Sequence, residues 1–493
     1  MKYLIVFSFF VKIPVIVLGV GEISPYSYLS QVALCRFEFD EFTRFFIRAT
    51  QTTALQCNTG VIKLISINNR KTFHTTGAGD SKKLKRLTHP PKEMATFPNI
   101  QRYPPGEDGR GEALNRWHSV TAEQPCDIGQ IIIDAHHHLW DRCRRIGYSE
   151  NVPTHTRYLA DEMFDDITRS GHRVVDTVYV ECLSMYDLSN VTTPSRGEIE
   201  FVQGISAQAK SNLYGNQLRC CGAIIGFVDL TQDTAKVGAD LDEMIASGRN
   251  FRGIRHAYGY HTSEEIPANH HPTRTTEHLL SDPKFRGGFQ ELASRNLVFD
   301  AWGYHWQLNE LKTLADAFPQ TTIIVDHLGG PVSLGPYAGQ RDNEVLNAWT
   351  TALGELAECK NVVVKLGGVG MPIFGLGSKY HERVTYDAPS PSSDELASAW
   401  STHINVALTA FGPERCMFES NFPVDKVTCS YNNMWNAFKK IVHAAGLTQE
   451  DRDHVFWRCA AKTYNIETKA FVTAGIVTDV ESNMHKDVDL PST

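Results

Sequence analysis

From Ile131 onward the chain repeats one pattern, a short β-branched or apolar run followed by an amphipathic stretch, and this alternation limits the possible folds more than any other feature. The pattern predicts strands at 131–134, 174–181, 222–228, 251–255, 297–300, 322–326, 362–366 and 416–420. Helical spacing falls between them at 158–170, 235–246, 307–318, 344–358 and 394–410. Two further helices follow the last strand, at 432–445 and 450–464. Strands that read as nearly continuous apolar runs are buried on both faces, as in parallel sheets. Eight of them alternating with helices over about 290 residues predict an α/β fold, a (β/α)8 TIM barrel with C-terminal helices, with a doubly wound open sheet as the alternative. In such a barrel catalytic groups lie at the C-terminal ends of the strands, so polar residues there need a chemical reason.

The rest of the chain is different material. Residues 1–130 carry a net charge of +5 and residues 131–493 a net of -13. The apolar segment 3–20 resembles a signal peptide or a membrane anchor, but Lys12 and Pro14 interrupt it. A basic run (Lys82, Lys83, Lys85, Arg86) and a Pro/Gly-rich stretch at 89–111 then read as a linker, so 1–130 is expected to be a poorly ordered N-terminal extension. A start at Met94 is an alternative reading. The barrel is expected over 131–466 and a polar tail over 467–493. Apolar residues at 42% and charged residues at 21% exclude wholesale disorder and a multi-spanning membrane protein. A net charge of -8 argues against a nucleic-acid partner and leaves a small-molecule substrate. The 11 cysteines are odd in number, scattered and without a C-x-x-C pair, which favours free thiols and a cytoplasmic setting over secretion or anchoring.

The strongest local signal is IIIDAHHHLWD at 131–141. Alternate side chains of a strand share a face, so His136 and His138 project together and His137 points away. Two imidazoles at a strand end can donate to a substrate oxygen or bind a divalent metal, although a catalytic zinc usually takes three protein ligands. The bland alternative is a cluster of surface histidines in a turn.

Taken in order, IIDAHHHLWD, TVYVEC (177–182), FRGIRH (251–256), VFDAWGYHWQL (298–308), IIVDHLGGP (323–331), VVVKLGG (362–368) and RCMFESNFPVD (415–425) resemble the amidohydrolase-related family over about residues 131–466. That family includes lactone hydrolases, amide-type hydrolases and non-oxidative decarboxylases. The resemblance implies that His136 and His138 bind a metal or contact substrate, and that His327 orients water or polarises the scissile carbonyl. It also places Arg255 where a guanidinium suits a substrate carboxylate. Glu181 faces the same mouth, as a substrate contact or as the ion-pair partner of Arg255. His305 is a loose third ligand or part of an aromatic wall with Trp302, Tyr304 and Trp306, and Lys365 points into the mouth or outward.

Two departures from the family pattern bear on mechanism. Where the eighth strand usually ends S-D-x-P, this chain has Ser420-Asn421-Phe422-Pro423, and an amide cannot take a proton from water near neutrality. Glu419, two residues earlier on the same strand, is the expected carboxylate on that face. At the fourth strand Arg255 and His256 stand where two-metal relatives carry a carboxylated lysine or a glutamate, so one divalent ion (zinc or manganese) or a metal-free site is expected. The functional expectation is a hydrolase opening a lactone, or cleaving an amide-type bond, in a small carboxylate- or hydroxyl-bearing metabolite. The alternatives are a metal-dependent decarboxylase of an aromatic or unsaturated acid and a barrel that binds ligand without turnover.

Overall fold

A computed structural model describes residues 111–141, 157–190, 192–214, 218–266, 275–375 and 389–468, together with short backbone strands between residues 5 and 62. The chain divides into two compact units, Met1–Ala95 and Thr96–Thr493. In the first, Ile5–Phe10 pairs antiparallel with Ile13–Leu18. Among the described residues no helix is long and apolar enough to cross a membrane.

The second unit is built on eight parallel strands: β1 (Ile131–His137), β2 (Arg173–Val180), β3 (Ala223–Gly226), β4 (Phe251–Arg255), β5 (Val298–Ala301), β6 (Ile323–Val325), β7 (Val362–Leu366) and β8 (Cys416–Phe418). Each pairs with its neighbours in sequence order. The ring closes just beyond β8, where Asn421 N donates to the His136 carbonyl (2.9 Å) and His138 N to the Phe422 carbonyl (2.8 Å). Buried Asp134 reinforces this seam, accepting from Ser420 N at 2.8 Å and from the Tyr431 hydroxyl at 2.9 Å. The fold is therefore a (β/α)8 barrel, and Ile132, Ile224, Phe299, Ile323, Val364 and Phe418 are among its fully buried residues.

The helices are α1 (Glu112–Ser119), α2 (Ala160–Ser170), α3 (Arg196–Lys210), α4 (Thr234–Ser247), α5 (Pro283–Ala293), α6 (Leu308–Ala317), α7 (Leu346–Leu356), α8 (Ser393–Phe411) and α9 (Tyr431–Ala444). Helical turns at Gln449–Asp453 and Cys459–Thr463 complete the fold. Several starts are set by side-chain caps: Asp233, Asp282, Ser392 and Ser430 accept from the amides of Ala235, Lys284, Glu395 and Asn433. α3 and α5 were not expected from spacing, because Gly204 and the Gly287-Gly288 pair weaken their helical signal.

Residues 111–130 do not behave as a free extension. Trp117 and Leu114 of α1 are buried, and Thr121 to Gln130 run along the barrel's outer helices with hydrogen bonds to Ser390, Ser393, Asn433, Asn436 and Lys439. The barrel unit thus begins well before residue 131. The basic run 82–86, most of the 89–111 stretch, Met94 and residues 469–493 lie outside the described residues.

Candidate active site

His136 and His138 share a face of β1 with their Nε2 atoms 3.2 Å apart, while His137 turns to the Thr177 hydroxyl at 2.8 Å. His138 Nδ1 lies 2.8 Å from the Val180 carbonyl, which only accepts, so Nδ1 carries the proton and Nε2 a lone pair. Lys365 Nζ lies 3.1 Å from His136 Nδ1. Glu419 Oε2, which only accepts, lies 3.0 Å from the same Nδ1, so this nitrogen faces an ammonium donor and a carboxylate acceptor together. Burial, and after it the charge of Lys365, lower the His136 pKa to about 4. Of the two rings, His138 has its tautomer set by a backbone carbonyl.

Lys365 is wholly buried in the barrel interior, 2.5 Å from Asp300 Oδ2 and 3.0 Å from Asp326 Oδ1. Burial alone would lower its pKa, but Asp300, Asp326 and Glu419 outweigh that and raise it. Asp300, which also accepts from the Tyr464 hydroxyl at 3.1 Å, is pushed up by burial to about 7. For Asp326 burial is outweighed by Lys365 and His136, and its carboxyl lies well below the usual range.

His327 occupies a tight turn after β6 with φ 53, in the left-handed region, which aims its ring across the barrel. Its Nδ1 lies 2.6 Å from Glu419 Oε1, and its backbone N lies 3.2 Å from the same oxygen. Burial would raise the Glu419 pKa, yet His327 and His136 hold it down at about 2. An ionised carboxylate only accepts, so the neutral form of His327 carries its proton on Nδ1 and its lone pair on Nε2. Gly367 and Gly368 make room for this pair: a Cβ on the first would overlap Glu419, and on the second the His327 ring. Trp302 packs edge-on against the imidazole with centroids 4.8 Å apart.

Arg255 is held by Glu181 through Nε to Oε1 at 2.8 Å and through Nη2 to the Glu181 carbonyl at 2.5 Å. Its Nη1 lies 3.5 Å from His136 Nε2 and 3.7 Å from Asp326 Oδ2. The cluster thus brings together His136, His138, Glu181, Arg255, His327, Lys365 and Glu419. Ligand atoms of His136, Asp326 and His327 lie within 4.8 Å of one another, close enough to hold a metal ion; His138 is outside this trio.

Two expected residues lie outside this cluster, His305 in the second of its two expected places. His305 accepts from Val332 N at 3.3 Å and packs against Trp306 and Tyr337, so it forms part of an aromatic wall. Asn421 does not share the Glu419 face, because its backbone leaves the extended region at φ 52 and strand alternation ends there. Its Nδ2 donates instead to Asp425 Oδ1 at 2.9 Å, and Asp425 Oδ2 accepts from Gly370 N at 2.8 Å. Burial pushes Asp425 up to about 7. Asn421→Asp would set two carboxyl groups against each other in a buried site, where they can share only one proton. The variant is expected to lose about 1–3 kcal/mol at pH 8, to recover towards pH 5, and to gain no activity. Thermal unfolding at both pH values checks this, and an activity gain would show that residue 421 faces the reacting atoms. Asp300 and Asp326 are the site residues that motif reading passed over, although each had a signal as a charge that ends an apolar strand.

Residues 133–466 match the amidohydrolase family profile. The protein y4mH of Sinorhizobium fredii is 30% identical over 346 residues, covering 68% of this chain and 98% of that protein. The L-rhamnono-gamma-lactonase of Scheffersomyces stipitis is 23% identical over 354 residues, again 68% of this chain and 98% of the relative. A crystal structure of a Burkholderia multivorans amidohydrolase with bound zinc superposes with a TM-score of 0.50 at 20% identity, covering 68% of this chain and 100% of that one, and so shares the fold. The match spans the barrel from β1 to the final helix, and the chain belongs to the amidohydrolase family.

Proposed function

We propose that this amidohydrolase opens the ring ester of a small lactone bearing hydroxyl or carboxylate groups. The observation that carries the reading is the buried His327–Glu419 pair at 2.6 Å, a carboxylate-oriented imidazole whose neutral form has its lone pair on Nε2, in a cluster that also holds the Glu181-anchored guanidinium of Arg255. Similarity to a lactonase supports a lactone as the ester. In this reaction His327 Nε2 takes a proton from water as the water oxygen bonds to the carbonyl carbon. The ring C–O bond then breaks, and the proton passes from His327 to the departing ring oxygen. Arg255, fixed by Glu181, offers Nη1 to the carbonyl oxygen or to a substrate carboxylate.

The cluster also fits one divalent ion, zinc or manganese, held by His136, Asp326 and His327. Both Asp326 oxygens and Glu419 Oε2 are buried, in contact with Lys365, Arg255 and His136 but without a well-aligned hydrogen bond. The carboxylates Glu181, Asp300, Asp326 and Glu419 also outnumber the positive charges of Lys365 and Arg255. An ion there would act as a Lewis acid on a carbonyl oxygen. It would also take a His327 lone pair, so the imidazole-base route belongs to the metal-free site.

The test is a lactone panel that includes L-rhamnono-γ-lactone, followed by acid release with and without chelator. Turnover is expected, and His327→Ala should lower kcat/KM by about 10²- to 10⁴-fold. A panel in which no lactone is opened faster than by His327→Ala overturns the proposal, and carbon dioxide release from an aromatic acid would support a decarboxylase instead.

A further inference from the structure

The Lys365 side chain ends in a part of the barrel closed to water, where an ammonium persists only if its charge is compensated. Asp300 does so from one side at 2.5 Å, and the Tyr464 hydroxyl steadies Asp300 at 3.1 Å. On the other side the ammonium touches Asp326 Oδ1 at 3.0 Å and His136 Nδ1 at 3.1 Å. Those two atoms belong to residues of the candidate ion site and stand 3.6 Å apart. Donor atoms on a tetrahedral ion, at bond lengths of about 2.0–2.2 Å, are separated by about 3.3–3.6 Å. The pair is thus spaced to share an ion, and the lysine already holds it. Glu419 Oε2, 3.0 Å from His136 Nδ1, adds a negative charge on the same side, and the Arg255 guanidinium reaches Asp326 Oδ2 at 3.7 Å.

We propose that Lys365 is a built-in cation that competes with a divalent ion for Asp326 and His136, so that metal binding requires the ammonium to withdraw towards Asp300. The inference rests on the three-residue ion site and not on the lactone assignment. In the metal-free protein the lysine neutralises Asp326. Removing the ammonium takes a like charge away from the incoming ion and frees both donor atoms.

The experiment is equilibrium dialysis of the full chain against zinc, with bound metal counted by elemental analysis. Lys365→Met is compared with the wild type, and so is Lys365→Met combined with Asp300→Asn, which removes the carboxylate that the single change would leave buried without its cation. The amide introduced by the second change can still accept from the Tyr464 hydroxyl, so the double variant decides the matter if the single one does not fold. Zinc affinity is expected to rise about tenfold or more, to one ion per chain, and the gain is expected to vanish when His136→Ala is added. Lys365 variants that bind zinc no more tightly than the wild type, or a gain that survives His136→Ala, overturn the proposal. Because the readout is bound metal, failure of the lactone panel leaves this result standing.

Discussion

Glu419→Gln is expected to lower kcat/KM on the lactone substrate by about 10²- to 10⁴-fold while the barrel stays folded. The replacement keeps the shape of the side chain and removes its charge. In the wild type Glu419 can only accept, which forces the His327 proton onto Nδ1 and leaves Nε2 basic. A glutamine amide can donate as well, so it permits the inverted tautomer, and it no longer stabilises an imidazolium formed when water is deprotonated. The carboxylate pKa, held at about 2, means that acid does not reproduce this variant across pH 4–9. The sign follows from the depressed value: the ionised, hydrogen-bonded carboxylate stabilises the fold above the ordinary glutamate range, and that contribution is lost only as the pH falls towards 2. Steady-state rates beside melting curves check the prediction. A loss under tenfold would remove His327 from the role of base.

Relative to a chain that lacks residues 1–95, one that lacks 1–130 is expected to lose several kcal/mol of barrel stability. The difference lies in the strap formed by residues 111–130. Glu123 accepts from Ser393 N at 2.7 Å and from the Ser393 hydroxyl, placing a carboxylate at the N-terminus of α8, where the helix dipole favours it. Asn433 and Asn436 donate to the carbonyls of Thr121 and Gln124, and Lys439 to those of Cys126 and Asp127 at 3.0 and 2.8 Å. At about 1 kcal/mol net for each bond, together with buried Trp117, the strap holds a sizeable share of the roughly 5–15 kcal/mol that keeps a typical domain folded. Equal melting temperatures for the two deletions would contradict this.

The barrel was legible because buried parallel strands write themselves as apolar runs; all eight lie where the pattern put them, with ends shifted by a few residues at most. The strap was not, since between Thr121 and Gln130 it is held by backbone groups and scattered polar side chains, which leave no periodic trace. Within the site, alternation along β1 correctly paired His136 with His138. The same rule misplaced Asn421, because it holds only while the backbone remains extended and residue 421 has φ 52. Lys365 was undecidable from parity alone, and a charge buried among Asp300, Asp326 and His136 becomes sensible only once strands from distant parts of the chain are side by side.

The closure of the barrel has a consequence for how the protein fails. The backbone bonds joining β1 to the segment after β8 come from His136, His138, Asn421 and Phe422, so the last seam of the cylinder and the paired histidines are one piece of chain. Opening that seam, a local fluctuation far smaller than global unfolding, would separate His136 from Glu419 before any helix melts. Deuterium uptake at the amides of His138 and Asn421 should therefore report the fraction of molecules in working order more directly than any melting curve.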